Sequence, residues 1–158
     1  MQEAAKFVER YIPSGRVADI GALNINGSLR PLFPGCEYVG FDLVEGLGVD
    51  VVLSDAEQWG IPTDSFDVVV SANCLEHTRR PWVIVRNIAR ICRPGGLVLL
   101  IMPAVWPYHA HPIDCWRCWP EGMRGLLEDA ELVVLDVHHN GQDTVGIARK
   151  PGTLESVA

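Results

Sequence analysis

Apolar residues recur along this chain in two rhythms, and the rhythms lay out its elements. Over residues 2–12, Ala5, Phe7, Val8, Tyr11 and Ile12 return at roughly helical spacing until Pro13-Ser14-Gly15 stops them. A short helix is expected there, packed on a sheet and covering its ligand-binding end. Val17, Ala18 and Ile20 then form the apolar run of a central strand covered on both faces. Further strands are expected at 37–43, 49–53, 66–71 and 97–102, the one at 66–71 strongly β-branched. Residues 81–92 place Trp82, Val85, Ile88, Ala89 and Cys92 on one helical face, with Pro81 at the start and Arg93-Pro94-Gly95-Gly96 as the stop. Ser54-Asp55-Ala56-Glu57 reads as a cap and first helical turn, and 120–130 as another helix. Strands at 132–138 and 144–149 flank Asn140-Gly141, a hairpin signal.

Strand and crossover alternate until that hairpin, which predicts an α/β fold: a Rossmann-like, seven-stranded, mostly parallel sheet with an antiparallel C-terminal hairpin. The helices are expected to be short. Pro31 and Pro34 limit the helix after the first strand to about a turn, and Glu45-Gly46-Leu47-Gly48 is too Gly-rich for one after the second. With 158 residues, 48% of them hydrophobic, the chain can bury one sizeable core. Residues 1–150 are therefore read as one domain and 151–158 as a flexible tail.

The formal charge of −7 without a basic run argues against a broad nucleic-acid surface. The charged N-terminus lacks the apolar stretch of a signal peptide, and the run at 97–102 is too short to span a bilayer. Five cysteines, an odd number, fit reduced thiols in a cytoplasmic protein.

The candidate chemistry begins at the first strand's end. Asp19 interrupts the apolar run where α/β sheets place ligands, and Gly21 permits a sharp turn. Asp42 closes the second strand, where a carboxylate can accept hydrogen bonds from both hydroxyls of a ribose. Together these residues propose a nucleoside-containing ligand.

Val17-Ala18-Asp19-Ile20-Gly21, Asp42, Ser65-Phe66-Asp67-Val68-Val69-Val70-Ser71, Cys74-Leu75-Glu76-His77 and Arg93-Pro94-Gly95-Gly96-Leu97 follow one another in a familiar order. In that order and spacing the chain resembles the class I S-adenosylmethionine-dependent methyltransferases, and among them the compact type 11 group, over roughly residues 15–150. The resemblance implies S-adenosylmethionine as cofactor. It puts Asp19 and Gly21 beneath the methionine moiety, with Ala22 and Asn26 in the same loop. It puts Asp42 at the ribose with Leu43 next to it among the cofactor-binding residues, Asp55 and Ala56 at adenine, and Ser71 and Asn73 on the methionine side. One departure stands out: the family's Gly-x-Gly-x-Gly is here Gly21-Ala22-Leu23-Asn24-Ile25, with Gly27 arriving late. Asn24 and Asn26, which tolerate left-handed backbone, are expected to supply the turn.

Methyl transfer from a sulfonium needs a general base only when the nucleophile arrives protonated. His77, His109 and His111 suit that work at neutral pH, and Asp114 could orient one of them. Tyr108, Trp116 and Arg117 are candidates for acceptor binding, aromatic faces suiting sugar rings and a guanidinium suiting an anionic group. The plainer alternatives are a loop cap for His77, solvated histidines, an aromatic roof over the core, and a structural ion pair for Arg117. His109-x-His111 with Cys115-x-x-Cys118 could form a zinc set, but the thiol at 118 reads as a substituted aromatic, so no metal is assigned. The leading reading is methyl transfer to an oxygen or nitrogen of a small polar acceptor, a sugar or glycan precursor being preferred. Its rival is a catalytically inactive binding protein of the same fold. Gly-x-Gly-x-x-Gly is absent, which disfavours a nicotinamide enzyme. With so little lid, a homodimer or partner subunit is expected to complete the site.

Overall fold

The structure, a computed structural model, describes residues 1–11, 13–25 and 27–152. Ile12, Asn26 and most of the expected tail (153–158) lie outside the described residues, and so does the cofactor role expected of Asn26. Helix α1 (Gln2–Tyr11) leads into strand β1 (Arg16–Ile20), followed by β2 (Glu37–Asp42), β3 (Val51–Val52) and β4 (Phe66–Ala72). Helix α2 (Pro81–Ile91), β5 (Cys92–Pro103), α3 (Pro120–Glu128), β6 (Val133–His139) and β7 (Asp143–Arg149) complete the order. The seven strands lie in the order β3-β2-β1-β4-β5-β7-β6, with only β7 antiparallel to its neighbours. Strand order reverses between β1 and β4, so the crevice at their carboxyl ends is where this architecture receives ligands.

Both faces of the sheet are covered, which is why its central strands read as unbroken apolar runs. Val17, Val68, Val70, Leu99 and Ile147 face Ala4 and Phe7 of α1 and Leu29 and Phe33. Their neighbours Ala18, Val69, Leu100 and Ala148 face Ile84 and Ile88 of α2 and Met123 and Leu127 of α3. Alternate residues of one strand thus serve opposite layers. No helix among the described residues is long and apolar enough to cross a membrane.

Several expectations are corrected by tertiary bonds. Strand β3 is two residues long rather than five, because Val49 closes a turn onto Gly46 O (3.1 Å) and the Asp50 carboxylate turns back to accept from Gly40 N (2.7 Å). Asp55 does accept from Glu57 N (2.7 Å) and Gln58 N (2.9 Å), as a helix cap would, yet no helix follows. The carbonyls of Glu57, Trp59 and Ile61 are taken instead by Asn87 Nδ2 (2.7 Å), Arg90 Nη2 (3.3 Å) and Arg90 Nη1 (2.7 Å), which draw that segment out along α2. With no helix there, a groove of about 510 Å3 opens between β2, β3 and Ile61. Trp82, expected on the buried face of α2, is 38% exposed and meets Trp116 edge-on, while Pro81 and Ile84 fill the face. Strand β5 starts at Cys92 and takes in Arg93 to Gly96, expected to be a helix stop, because Cys92 already pairs with Phe66.

The terminal hairpin turns where expected. Asn140 Oδ1 accepts from Gln142 N (3.0 Å) and Asp143 N (2.8 Å), and Gly141 has φ +103°. A Cβ on Gly141 would meet nothing within 4 Å, so Gly141→Ala should cost only backbone strain, about 1 kcal/mol in a denaturant titration.

Candidate functional site

The glycine loop after β1 is shaped by the end of β2. Gly21 N and Ala22 N both donate to Phe41 O (2.9 and 3.0 Å), bending the chain over the end of β2. Asp42 Oδ2 accepts from Leu23 N (3.0 Å), and its Oδ1 accepts from Leu43 N (2.7 Å) and Val44 N (3.3 Å). Asn24 does not adopt the left-handed backbone expected of it: its side-chain oxygen accepts from Gly27 N (2.8 Å), which closes the turn by a side chain instead. A second brace went unread in the sequence. Arg30 donates to Tyr38 O (2.9 Å) and Gly48 O (3.3 Å) and pairs with Asp50, tying the loops after β1 and β2 together.

Asp19 is 6% exposed, and its one side-chain partner is the Tyr38 hydroxyl, which donates to Oδ2 at 2.7 Å. Burial pushes its carboxyl up to about 6, the Tyr38 hydrogen bond opposing the shift. Since that lies above the ordinary 3.8, the folded state holds this proton more tightly than the unfolded chain does. Stability is therefore expected to fall as pH rises from about 4 through 6, and Asp19→Asn should remove that slope from denaturation curves measured across the range.

The other predicted cofactor residues occupy the same edge with differing access. Ser71 is buried and donates to Ile20 O (2.8 Å), locking the ends of β4 and β1 together. Asn73, with φ +50°, donates its N–H to Ile101 O (2.9 Å) and turns the chain off β4. Leu43 is exposed, Asp55 is engaged in its own turn, and Ala56 O accepts from Trp59 Nε1 (2.9 Å). Burial pushes the neighbouring Cys74 thiol up to about 12, so it stays protonated.

Beyond β4, a short 3-10 turn (Leu75–His77) brings together groups that the sequence left apart. Glu76 is fully buried, and among the described residues neither of its carboxylate oxygens has a hydrogen-bond partner. Its Oε1 lies 3.6 Å from His77 Nε2 and 3.7 Å from His109 Nε2. The two imidazole rings stand edge-on, with centroids 5.1 Å apart. His111 is exposed, its ring centroid 6.4 Å from that of His77. The sequence signal for Glu76 is a carboxylate directly after the buried Leu75 and directly before a histidine, in Cys74-Leu75-Glu76-His77.

The segment 104–119 hangs over this cluster, pinned by Cys115 N to Glu76 O (2.8 Å) and by Trp116 Nε1 to Thr78 O (2.8 Å). Asp114 and Arg117 form a two-pronged pair, Nη1 to Oδ1 at 2.6 Å and Nη2 to Oδ2 at 2.7 Å. The guanidinium holds the Asp114 carboxyl well below the usual range, and Oδ2 also accepts from His109 N (2.7 Å). Asp114 therefore orients the His109 loop. Arg117 further donates to the carbonyls of Trp106 (3.0 Å), Pro107 (2.8 Å) and Trp116 (2.7 Å), the plainer of its two expected uses. Tyr108 is 77% exposed and Trp116 39%, so both keep a face open. The His109, His111, Cys115, Cys118 set does not converge among the described residues: Cys118 is buried with its carbonyl bonded to Thr144 Oγ1 (2.6 Å), and Cys115 is exposed.

A family model described as methyltransferase domain matches residues 21–100. The ubiquinone biosynthesis O-methyltransferase of Parvibaculum lavamentivorans is 32% identical over 56 residues, 35% of this chain and 22% of that protein. The chloroplastic 2-methyl-6-phytyl-1,4-hydroquinone methyltransferase 1 of Oryza sativa subsp. japonica is 33% identical over 82 residues, 47% of this chain and 23% of that protein. The matches thus span less than a quarter of the length of these curated relatives. Among solved structures, the 1,6-didemethyltoxoflavin-N1-methyltransferase of Burkholderia thailandensis, with 1,6-didemethyltoxoflavin and S-adenosylhomocysteine bound, superposes with a TM-score of 0.74 at 18% identity. That superposition covers 95% of this chain and 77% of the other, and it shows a shared fold.

Proposed function

The chain belongs to the methyltransferase-domain family, and on that premise we propose that it transfers a methyl group from S-adenosylmethionine to a small polar acceptor. The accepting atom is an oxygen or a nitrogen, and a sugar or glycan precursor is the preferred class. The observation that carries this reading is the gathering, at the carboxyl edge of β1, β2 and β4, of Asp19, Asp42 and a histidine cluster under an aromatic-rich segment.

The residues present fit the cofactor. Asp19 is a buried acid with a single hydroxyl donor, and a positively charged group beside it would draw it into its ionised form. Three backbone donors already fix the Asp42 carboxylate in place and leave one lone-pair position, on Oδ2, for a ribose hydroxyl. When bound, S-adenosylmethionine supplies a methyl group already activated on a sulfonium. What remains for this chain is to hold the acceptor on axis and keep water out. The exposed faces of Tyr108 and Trp116 suit stacking on the acceptor. The Nε2 atoms of His77 and His109 can receive a hydroxyl proton, because each ring's Nδ1 faces a backbone carbonyl.

Titration calorimetry with S-adenosylmethionine and S-adenosylhomocysteine tests the reading. Micromolar binding is expected, and Asp42→Ala should weaken it by about 1–3 kcal/mol, the cost of leaving hydroxyls and loop N–H groups unpaired. Unchanged affinity in that variant would take Asp42 out of the site, and no binding to the folded chain would end the proposal. The affinity should also drop as pH falls below about 6, where Asp19 takes up its proton, and Asp19→Asn should flatten that dependence.

A further inference from the structure

The structure assigns Glu76, His77 and His109 as a binding site for one zinc-class divalent cation. One ligand atom from each residue lies within 4.8 Å of the other two. The separations of 3.6 and 3.7 Å from Glu76 Oε1 to the two Nε2 atoms are too long for hydrogen bonds. They are close to the spacing of two ligands on one tetrahedral ion, roughly 3.4 Å for metal–ligand bonds of about 2.1 Å.

The hydrogen bonds behind the rings point the same way. His77 Nδ1 lies 2.6 Å from Ile113 O, and His109 Nδ1 lies 3.0 Å from Pro107 O and 3.3 Å from Asp114 Oδ2. Carbonyls and carboxylates only accept, so in the His77 ring the proton sits on Nδ1; His109 Nδ1 has these two acceptors against one longer donor contact, Arg117 Nη2 at 3.4 Å, which favours the same tautomer. With the rings neutral and Glu76 ionised, both Nε2 lone pairs then face a carboxylate that is itself only an acceptor. Three acceptors converge with no donor among them. A divalent cation is what such a convergence satisfies, and a histidine whose far nitrogen is held by a carbonyl or carboxylate is the usual form of a metal ligand. Glu76 supplies an independent sign: it is fully buried, and among the described residues neither of its oxygens finds a hydrogen-bond partner.

Two imidazoles and a carboxylate favour zinc over the hard oxygen-seeking ions, and three protein ligands leave a fourth position for water or an acceptor oxygen. An acceptor bearing a hydroxyl would bind there with its pKa lowered and its proton released to solvent, the two rings then serving as ligands and not as bases. That use rests on the methyl-transfer reading; the binding of the ion does not.

The test uses the purified full chain, stripped with a chelator and titrated with zinc by calorimetry and with cobalt(II) by visible absorption. One equivalent of zinc is expected, with cobalt bands of a four- or five-coordinate N/O site. Glu76→Gln and the surface variant His109→Ala should each weaken zinc about 100-fold or more, with folding checked by circular dichroism. Cys115→Ser should leave it unchanged. A folded chain that takes up no zinc overturns the proposal, as does zinc binding that survives both ligand variants or is lost with Cys115. S-adenosylhomocysteine is titrated into the same samples. Its binding without zinc binding overturns the metal site alone, and zinc binding without it overturns the cofactor reading alone.

Discussion

Gly21→Ala is expected to destabilise the chain by about 2–5 kcal/mol and to abolish cofactor binding in whatever folds. Two independent costs combine there. Gly21 has φ +84°, a conformation that costs an L-residue about 1–2 kcal/mol. A Cβ on it would also stand 2.5 Å from both Cβ and Sγ of Cys74, and relieving that overlap costs a further ~1–3 kcal/mol. Because the loops after β1 and β4 touch at this point, the overlap would push apart the elements that carry Asp19 and the His77 turn. Denaturant unfolding together with calorimetry reads both effects. Cys74→Gly in the Gly21→Ala background should recover the steric part and leave the backbone part. Full recovery would show that φ at this position is unimportant.

Arg117→Met is the second large effect, expected at about 2–4 kcal/mol. The methionine preserves most of the aliphatic stem, so the loss is that of the guanidinium. It would leave the Asp114 carboxylate, 1% exposed at its side chain, without its two-pronged partner, the carbonyls of Trp106 and Trp116 without their donor, and that of Pro107 with the His109 ring alone. The segment should loosen, seen as faster amide exchange at His109 and Cys115, and acceptor turnover should fall with it. Arg117→Lys should rescue only part of the stability, since an ammonium cannot make the paired contacts. A variant with unchanged stability and a raised acceptor KM would instead place Arg117 in direct contact with the acceptor.

Most of the fold was legible because its signals are local. The apolar runs of β1, β4 and β5, the α2 periodicity and the Asn140-Gly141 turn each lie within a dozen residues, and each formed within a few residues of where it was read. What went astray depended on partners distant in sequence. Asp55 carries the mark of a helix cap, but Asn87 and Arg90 take the carbonyls that a helix would have needed. Arg93 to Gly96 do follow the end of α2, but the strand expected from Leu97 begins at Cys92, because Phe66 supplies a partner there. Asn24 was expected to bend its own backbone, and bends the loop through its side chain instead.

The candidate site divides along the same line. Asp19, Gly21 and Asp42 sit at strand ends, where the alternation of strand and turn marks the ligand edge, so sequence alone brought them together. The convergence of Glu76, His77 and His109 required the 104–119 segment to fold back over β4, held by Cys115 N on Glu76 O and Trp116 Nε1 on Thr78 O. Sequence by itself therefore determined the order of elements, the layers they bury and the strand ends that carry Asp19 and Asp42, because period and turn chemistry are written residue by residue. Only the tertiary structure decided which carboxylate meets which imidazole, because that contact spans more than thirty positions and depends on which backbone groups the rest of the fold leaves free.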